Sequence, residues 1–586
     1  MKRLLFCCVL VYAFTLCGAQ YLNSFRYLST GGGLDDDIEY AYDPLDLYYF
    51  HGLKLYSALN NFNDDDRLLA GSGSNYLVLG AATDKAWLPK LKAAVLWRCY
   101  DDKTPLNFDC YPSPYDYYPT TDQGEAEYEW QSYFDSNENG LYDHHRRLWQ
   151  KFENYEREKN KEAYLVLAYA LSPLAVLGDK IGFSRSWGDD TYAHNSVLDF
   201  GWGDPSTQYF ESENSLPDMD PGTPFYRHEN EGEGDFDSDD LDCFFHNELG
   251  YMRTGGKWEY SGRWRINFLR EKNSTLDRAT ETDRDYYEHP VDGQDYYEYK
   301  EQESWDYKSL DKGVYNQLSG RLRYFLVPDA DLRRAGYWSC GLGLGMRNLT
   351  SAYDELYLYD EKDPSIANSN EEGRLNEKGT VLGFDFSSFL KLNYPLNQHT
   401  FLGTGMYYSW LNNKTKGDFD YLYTSQTTSF AGGDKEDWVH RHTETSHSAG
   451  DTEQQYSFQT FRVPVGLEYW FSASRKWAMR VGSAFTWSSS TCNESYTPTL
   501  IEPTMVEDVN FDDQENPSVS IEDNTYLVES HRQQGSASST QFSYGLCYKP
   551  SEQLQIEVMH MFSMSDLNLW NTDFFRQLSF AFTVGF

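Results

Sequence analysis

Asp135-Ser136-Asn137-Glu138-Asn139-Gly140-Leu141-Tyr142-Asp143 sets oxygen-bearing side chains at positions one, three, five and nine around a glycine at six. That is the spacing with which an acidic loop wraps Ca²⁺. Asp135, Asn137, Asn139 and Asp143 are the expected ligands, while position twelve is Arg146, where a bidentate acid would complete the set. Outside a cell, millimolar affinity suffices. The alternative is an acidic surface turn. His144 and His145 follow directly, but adjacent histidines splay apart on a helix and no CxxC or HExxH accompanies them, which argues against zinc. Leu148, Phe152 and Tyr155 recur at helical spacing and predict a short helix here.

A second group of charged residues stands at alternate positions. Between Trp258 and Phe268 the residues Trp258, Tyr260, Gly262, Trp264, Ile266 and Phe268 share one strand face, and Glu259, Ser261, Arg263, Arg265 and Asn267 share the other. The segment from Leu318 to Leu326 repeats the pattern, with Arg321 and Arg323 on the polar face. Arg263, Arg265, Arg321 and Arg323 would thus line one wall. Gly341, Gly343 and Gly345 opposite them leave room for long guanidinium groups. Asp385, Lys391, Arg462, Glu468, Arg480 and Glu557 also fall on polar faces.

The elements that position these residues are strands throughout. The chain closes on Arg576-Gln577-Leu578-Ser579-Phe580-Ala581-Phe582-Thr583-Val584-Gly585-Phe586, alternating large apolar with small or polar side chains. This stretch resembles the closing strand of a Gram-negative outer-membrane β-barrel. The resemblance implies that Phe586 is the assembly signal read by the barrel-assembly machinery. Met1-Lys2-Arg3, an apolar run from Leu4 to Cys17 and the small-residue exit Cys17-Gly18-Ala19 read as a secretory signal over residues 1–19. After it no run of eighteen apolar residues appears, so strands would have to do the crossing.

Composition agrees with that expectation. Net charge is -41, from 91 acidic against 50 basic residues, yet 17% of the chain is aromatic, with 48 Tyr and 16 Trp. Mean hydropathy is -0.69. A disordered acidic chain would be poor in aromatics, whereas aromatic girdles around a polar interior explain both numbers. The negative charge argues against nucleic acid as a partner, and for bound divalent cations or repulsion of anions at the mouth.

Short turns near residues 82–89, 172–174, 254–256, 328–335, 395–399, 472–476 and 549–553 alternate with long polar insertions. The expected fold is all-β: a transmembrane antiparallel β-barrel over residues 46–586, of about 16 strands with 14 as the alternative count, carrying long acidic extracellular loops. Residues 20–45 form a periplasmic lead-in or a lumenal hatch. Phe25-Arg26 through Thr30-Gly31-Gly32-Gly33, then Asp35-Asp36-Asp37 and Asp43-Pro44-Leu45, is similar to the start of FadL-like outer-membrane transporters. That resemblance implies a hatch inside the barrel, although the acidic mouth does not suit a hydrophobic cargo.

The expected function is passive passage of small polar or charged solutes, porin-like, with Arg263, Arg265, Arg321, Arg323, Asp385, Arg462, Glu468 and Arg480 lining the pore. These charges could instead pair with one another and plug the interior. The alternatives are FadL-like hatch-gated uptake and a surface adhesin or structural protein without transport. No catalytic constellation is legible, since His447-Ser448 and Asp143-His144 are isolated dipeptides, so the chain is expected not to be an enzyme. The remaining expected partners are outer-membrane lipid and small solutes. Oligomeric state stays open, a trimer included. Cys99 and Cys110 are the local candidates for a disulfide, with Cys340 and Cys547 read as apolar fillers.

Overall fold

The computed structural model describes residues 24–52, 54–59, 73–83, 90–105, 125–134, 144–202, 226–289, 293–329, 332–363, 367–430, 438–471, 475–510, 518–522, 529–551, 553–563 and 579–585. The expected Ca²⁺ ligands Asp135, Asn137, Asn139 and Asp143, the residues 1–19, Cys110 and Phe586 lie outside them.

Two short helices, α1 (Phe25–Ser29) and α2 (Asp37–Tyr42), and a 3₁₀ turn (Asp46–Tyr49) precede the strands. The strands are β1 (Lys54–Leu59), β2 (Gly73–Thr83), β3 (Leu91–Pro105), β4 (Glu125–Phe134), β5 (His144–Ser172), β6 (Ala175–Trp202), β7 (Tyr226–Gly255), β8 (Trp258–His289), β9 (Gly293–Val327), β10 (Gly336–Asp363), β11 (Ala367–Pro395), β12 (Thr400–Phe430), β13 (Trp438–Phe471), β14 (Trp477–Ile501), β15 (Thr504–Asn510), β16 (Ser518–Glu522), β17 (Glu529–Ser551), β18 (Leu554–Ser563) and β19 (Ser579–Gly585). All belong to one antiparallel sheet. Pairing runs from β1 to β2, β3 and β5, then stepwise from β5 to β14, on to β17, β18 and β19, and back from β19 to β1. β4 adds to the free end of β5, and β15 with β16 to β13.

The reason for this sheet is visible in exposure. Trp258, Tyr260, Trp264 and Phe268 of β8, Leu342, Leu344 and Met346 of β10, and Trp477, Met479, Val481, Phe485 and Trp487 of β14 are exposed on the outer face. Their neighbours Glu259, Ser261, Ser339, Lys391, Glu468, Arg480 and Glu557 are buried on the inner face. That is the inverse of a soluble sheet with a solvated polar face. Most of the exposed large apolar residues lie near the short turns, within about the length a strand needs to cross a hydrocarbon layer, while Leu358, Leu422, Leu500, Met505, Val519 and Ile521 lie further out. Aromatic rings cluster at the turn end of this band: Trp258 lies 4.6 Å from Tyr324 and 5.7 Å from Trp338, and Trp477 lies 4.2 Å from Tyr548. Such rings favour an apolar-to-polar boundary. Among the described residues, no helix is long and apolar enough to cross a membrane.

Two expectations are corrected. The long polar insertions are largely strand: β8 runs to His289 and β9 starts at Gly293, with Asp277 opposite Trp305 and Tyr287 opposite Asp295. Polarity on both faces hides these hairpins from a hydropathy reading, while their Tyr, Thr and Trp content suits a pleated surface. The helix expected at Leu148, Phe152 and Tyr155 is instead part of β5, with Leu148 opposite Leu198 and Phe152 opposite His194. Cross-strand pairing on both sides outweighs a weak helical period. Cys340 and Cys547 are free; Cys547 is buried with Leu34, Phe401, Trp470 and Ala478.

Candidate functional site

The described residues that precede β1, 24–52, sit on the inside of the ring. Ser24 caps α1, its Oγ accepting from the Tyr27 amide at 3.1 Å, the capping that favours Ser at this position. Gly31 and Gly32 then take positive φ of 61° and 88°, which residues with a Cβ rarely adopt. Close approach requires glycine as well. A Cβ on Gly31 would stand 2.7 Å from the Ser483 carbonyl oxygen, and one on Gly33 would stand 2.7 Å from the Gly403 carbonyl oxygen. Asp36 is the N-cap of α2, and its amide donates to the Glu39 carboxylate at 2.8 Å. Asp43 then accepts from the amides of Leu45 and Asp46 at 2.9 and 3.2 Å and turns the chain into the 3₁₀ segment.

Apolar packing holds this plug from one side. Phe25, Ile38, Ala41, Leu45, Leu47 and Phe50 share one buried cluster with Tyr56, Ala94, Leu96, Val166, Val176, Met252, Met559 and Ala581 of the wall. Tyr40 packs with Phe325 and Tyr337.

A charged cage holds the other side. Asp46 receives Arg321 at 2.7 Å and Arg323 at 3.0 Å, and both guanidiniums also reach Glu259 at 3.2 and 2.8 Å. Asp43 pairs with Arg263, and Tyr49 donates to Glu259. Lys391 holds Asp35, Lys54 holds Asp37, and Arg333 reaches Asp36 and Asp37 at 3.4 and 3.0 Å. One pairing runs in the opposite sense: Arg26 of the plug donates through Nε and Nη2 to Glu468 at 3.0 Å each. Arg480 then links Glu468, at 2.8 Å, to Glu557.

Electrostatics follow from this burial. Burial works against ionisation of Asp36, but Arg333 and Arg26 outweigh it and hold the carboxyl below its usual value. Burial opposes Asp46 likewise, and Arg321 and Arg323 hold it well below the carboxylate range. Glu39 goes the other way. Burial first, then Asp35 and Asp36, push it up to about 8, against the Ser24 donors that favour its charged form.

The structure thus corrects the expectation of a water-filled constriction at the arginine wall. Arg263, Arg321 and Arg323 point inward but meet plug carboxylates rather than an open passage. Their burial takes several charges out of water, which only dense pairing offsets. Arg265 pairs with Glu248 at 2.7 Å, Arg462 donates to the Gly31 carbonyl at 3.1 Å, and Asp385 accepts from Tyr315 at 3.1 Å. Glu468 and Arg480 form the buried pair described above. The alternation rule already placed these side chains on the inner face. Their partners Asp46 and Glu248 were not singled out, and the pairing of Arg263 with Asp43 and of Arg321 and Arg323 with Glu259 was not expected, because no local spacing along the chain joins them.

No family model and no curated protein matches the chain. Among solved structures, a mutant of the ferric enterobactin receptor from Pseudomonas aeruginosa is 10% identical, over 92% of this chain and 80% of that one, with a TM-score of 0.23. The alcaligin outer membrane receptor from Bordetella pertussis is 8% identical over 93% and 76%, with a TM-score of 0.21. A copper transporter is 9% identical over 91% and 80%, with a TM-score of 0.22. These similarities give no support to the FadL-like resemblance of residues 25–45.

Proposed function

We propose that this chain is an outer-membrane β-barrel, closed by the sixteen strands β1 to β3, β5 to β14 and β17 to β19, that moves small polar or charged solutes past a displaceable plug. The outward apolar band and its aromatic rim support the membrane setting. The plug of residues 24–50 carries the gating reading. It is tied to the wall by ion pairs from Asp35, Asp36, Asp37, Asp43 and Asp46, contacts that water and competing ions can replace. A hydrophobic core alone would have sealed the ring without buried charge. This replaces free diffusion through a porin-like hole with gated passage, and the charged lining does not suit hydrophobic cargo. Ca²⁺ at Asp135, Asn137, Asn139 and Asp143 and assembly through Phe586 belong to the same proposal.

The apolar half of the plug supports a second reading, a barrel shut permanently in a structural or adhesive protein. Proteoliposome uptake of small charged solutes separates the two. A double variant, Asp43→Cys with Arg263→Cys, is measured before and after bridging by a bis-maleimide. Gated transport expects uptake that bridging abolishes. Uptake indifferent to bridging overturns the gate, and no uptake in either state favours the structural reading.

A further inference from the structure

Three inward side chains on adjacent strands form a hydrogen-bonded line that the plug does not use. Ser184 Oγ of β6 lies 3.0 Å from Nε2 of His246 on β7, and Nδ1 of His246 lies 3.1 Å from Oδ1 of Asn267 on β8. An amide oxygen only accepts, so Nδ1 carries the proton and Nε2 is left as the acceptor for the serine hydroxyl. This is the tautomer in which a histidine serves as base to a serine, with a third group holding the ring. The imidazole is further fixed by two rings, Tyr164 at 5.7 Å and Phe244 at 6.1 Å. The absence of a side chain at Gly182 admits the Tyr164 ring, since a Cβ there would run into it.

The line lies above the plug. Lys180, four residues before Ser184, sets its ammonium 3.9 Å from the centre of the Tyr42 ring of α2, and Tyr42 packs edge-on against Tyr164 at 5.0 Å. Ser184 is therefore one layer further from the short turns, on the wall that an entering solute passes before meeting the plug. Ser184 is buried, and His246 and Asn267 are half-buried.

We propose that Ser184, His246 and Asn267 form a serine acyl-transfer site that cleaves carboxylic esters of small polar solutes in the lumen. Ser184 Oγ bonds to the ester carbon as its proton passes to His246 Nε2. The carbon–oxygen bond to the leaving alkoxide breaks, and that proton goes to the alkoxide, releasing an alcohol. Water then gives a proton to Nε2 while its oxygen bonds to the acyl carbon; the acyl carbon–Oγ bond breaks, the acid leaves, and the proton on Nε2 returns to Ser184 Oγ. Ser184 and His246 are the catalytic residues. Asn267 is a positioning residue.

The test uses the full barrel refolded in detergent, a fluorophosphonate probe and p-nitrophenyl acetate. The expected result is probe attached at Ser184, with ester turnover reduced about a thousand-fold or to background in Ser184→Ala and His246→Gln. Both variants should keep the heat-modifiable mobility of the folded barrel. Asn267→Ala should change the pH profile of turnover, which a purely structural bond would leave unmoved. Absence of label and turnover in correctly folded protein would overturn the site, and so would label that persists in Ser184→Ala.

Discussion

Asp46 shows how narrowly the plug is held. Its carboxylate faces two guanidiniums that share Glu259, and Arg321 also lies 3.5 Å from Asp43. Asp46→Asn leaves Arg323 with Glu259 alone and Arg321 with Glu259 and Asp43 in a buried setting, and should loosen the plug by about 3–5 kcal/mol, the cost of breaking a buried pair. Protease access to residues 24–50 in the folded barrel reads this directly. pH should act through two opposed groups. Glu39 is raised when docked, so the docked state binds more protons than the released one between its ordinary value of 4.5 and about 8, and docking weakens as pH rises through that window. Asp36 and Asp46 are depressed; their contribution is present above the ordinary aspartate range and is lost as pH falls toward their docked values. Docking should therefore be tightest in mild acid, and Glu39→Gln should flatten the loss toward pH 8 while leaving the acid limb. Plug protection measured across pH in both proteins checks the pair of signs.

At the scale of elements, the glycine run between α1 and α2 does what no other residues would allow. Gly31→Ala combines a positive φ with a Cβ against the Ser483 carbonyl, and should undock the first helix at a cost of about 1–3 kcal/mol. Loss of protection confined to residues near α1, with the barrel still folded, is the expected hydrogen-exchange pattern. The strands of the apolar band were legible because a period of two is strict where one face meets a nonpolar medium and the other is buried. Trp258 to Phe268 and Leu318 to Leu326 show it. The outer halves of β5 to β14 were not legible, since Asp277, Arg278 and Glu281 beside Tyr299, Glu301 and Trp305 carry no difference between faces. Hydrogen bonding between hairpin arms, rather than hydropathy, holds those segments.

For the molecule as a whole, charge bias and aromatic content pointed to a polar-lined ring, and pairing of β1 with β19 returns the sheet to its start. What local pattern could not supply was the inside. Arg26 meets Glu468 across 442 positions, and Arg321 meets Asp46 across 275. Such contacts depend on how the ring is closed and not on any spacing along the chain. For the same reason Ser184, His246 and Asn267 are unremarked singly and acquire a relation only when β6, β7 and β8 lie side by side.

Under the proposed function the plug is the gate of an otherwise passable lumen. The decisive measurement is single-channel recording in a planar bilayer of the refolded barrel beside its Arg321→Gln, Arg323→Gln variant. The variant removes the cage around Asp46 and keeps the wall. A gating plug gives a nearly silent parent and frequent, salt-dependent openings in the variant. Steady openings of equal size and frequency in both would contradict it, because the passage would then be independent of the plug.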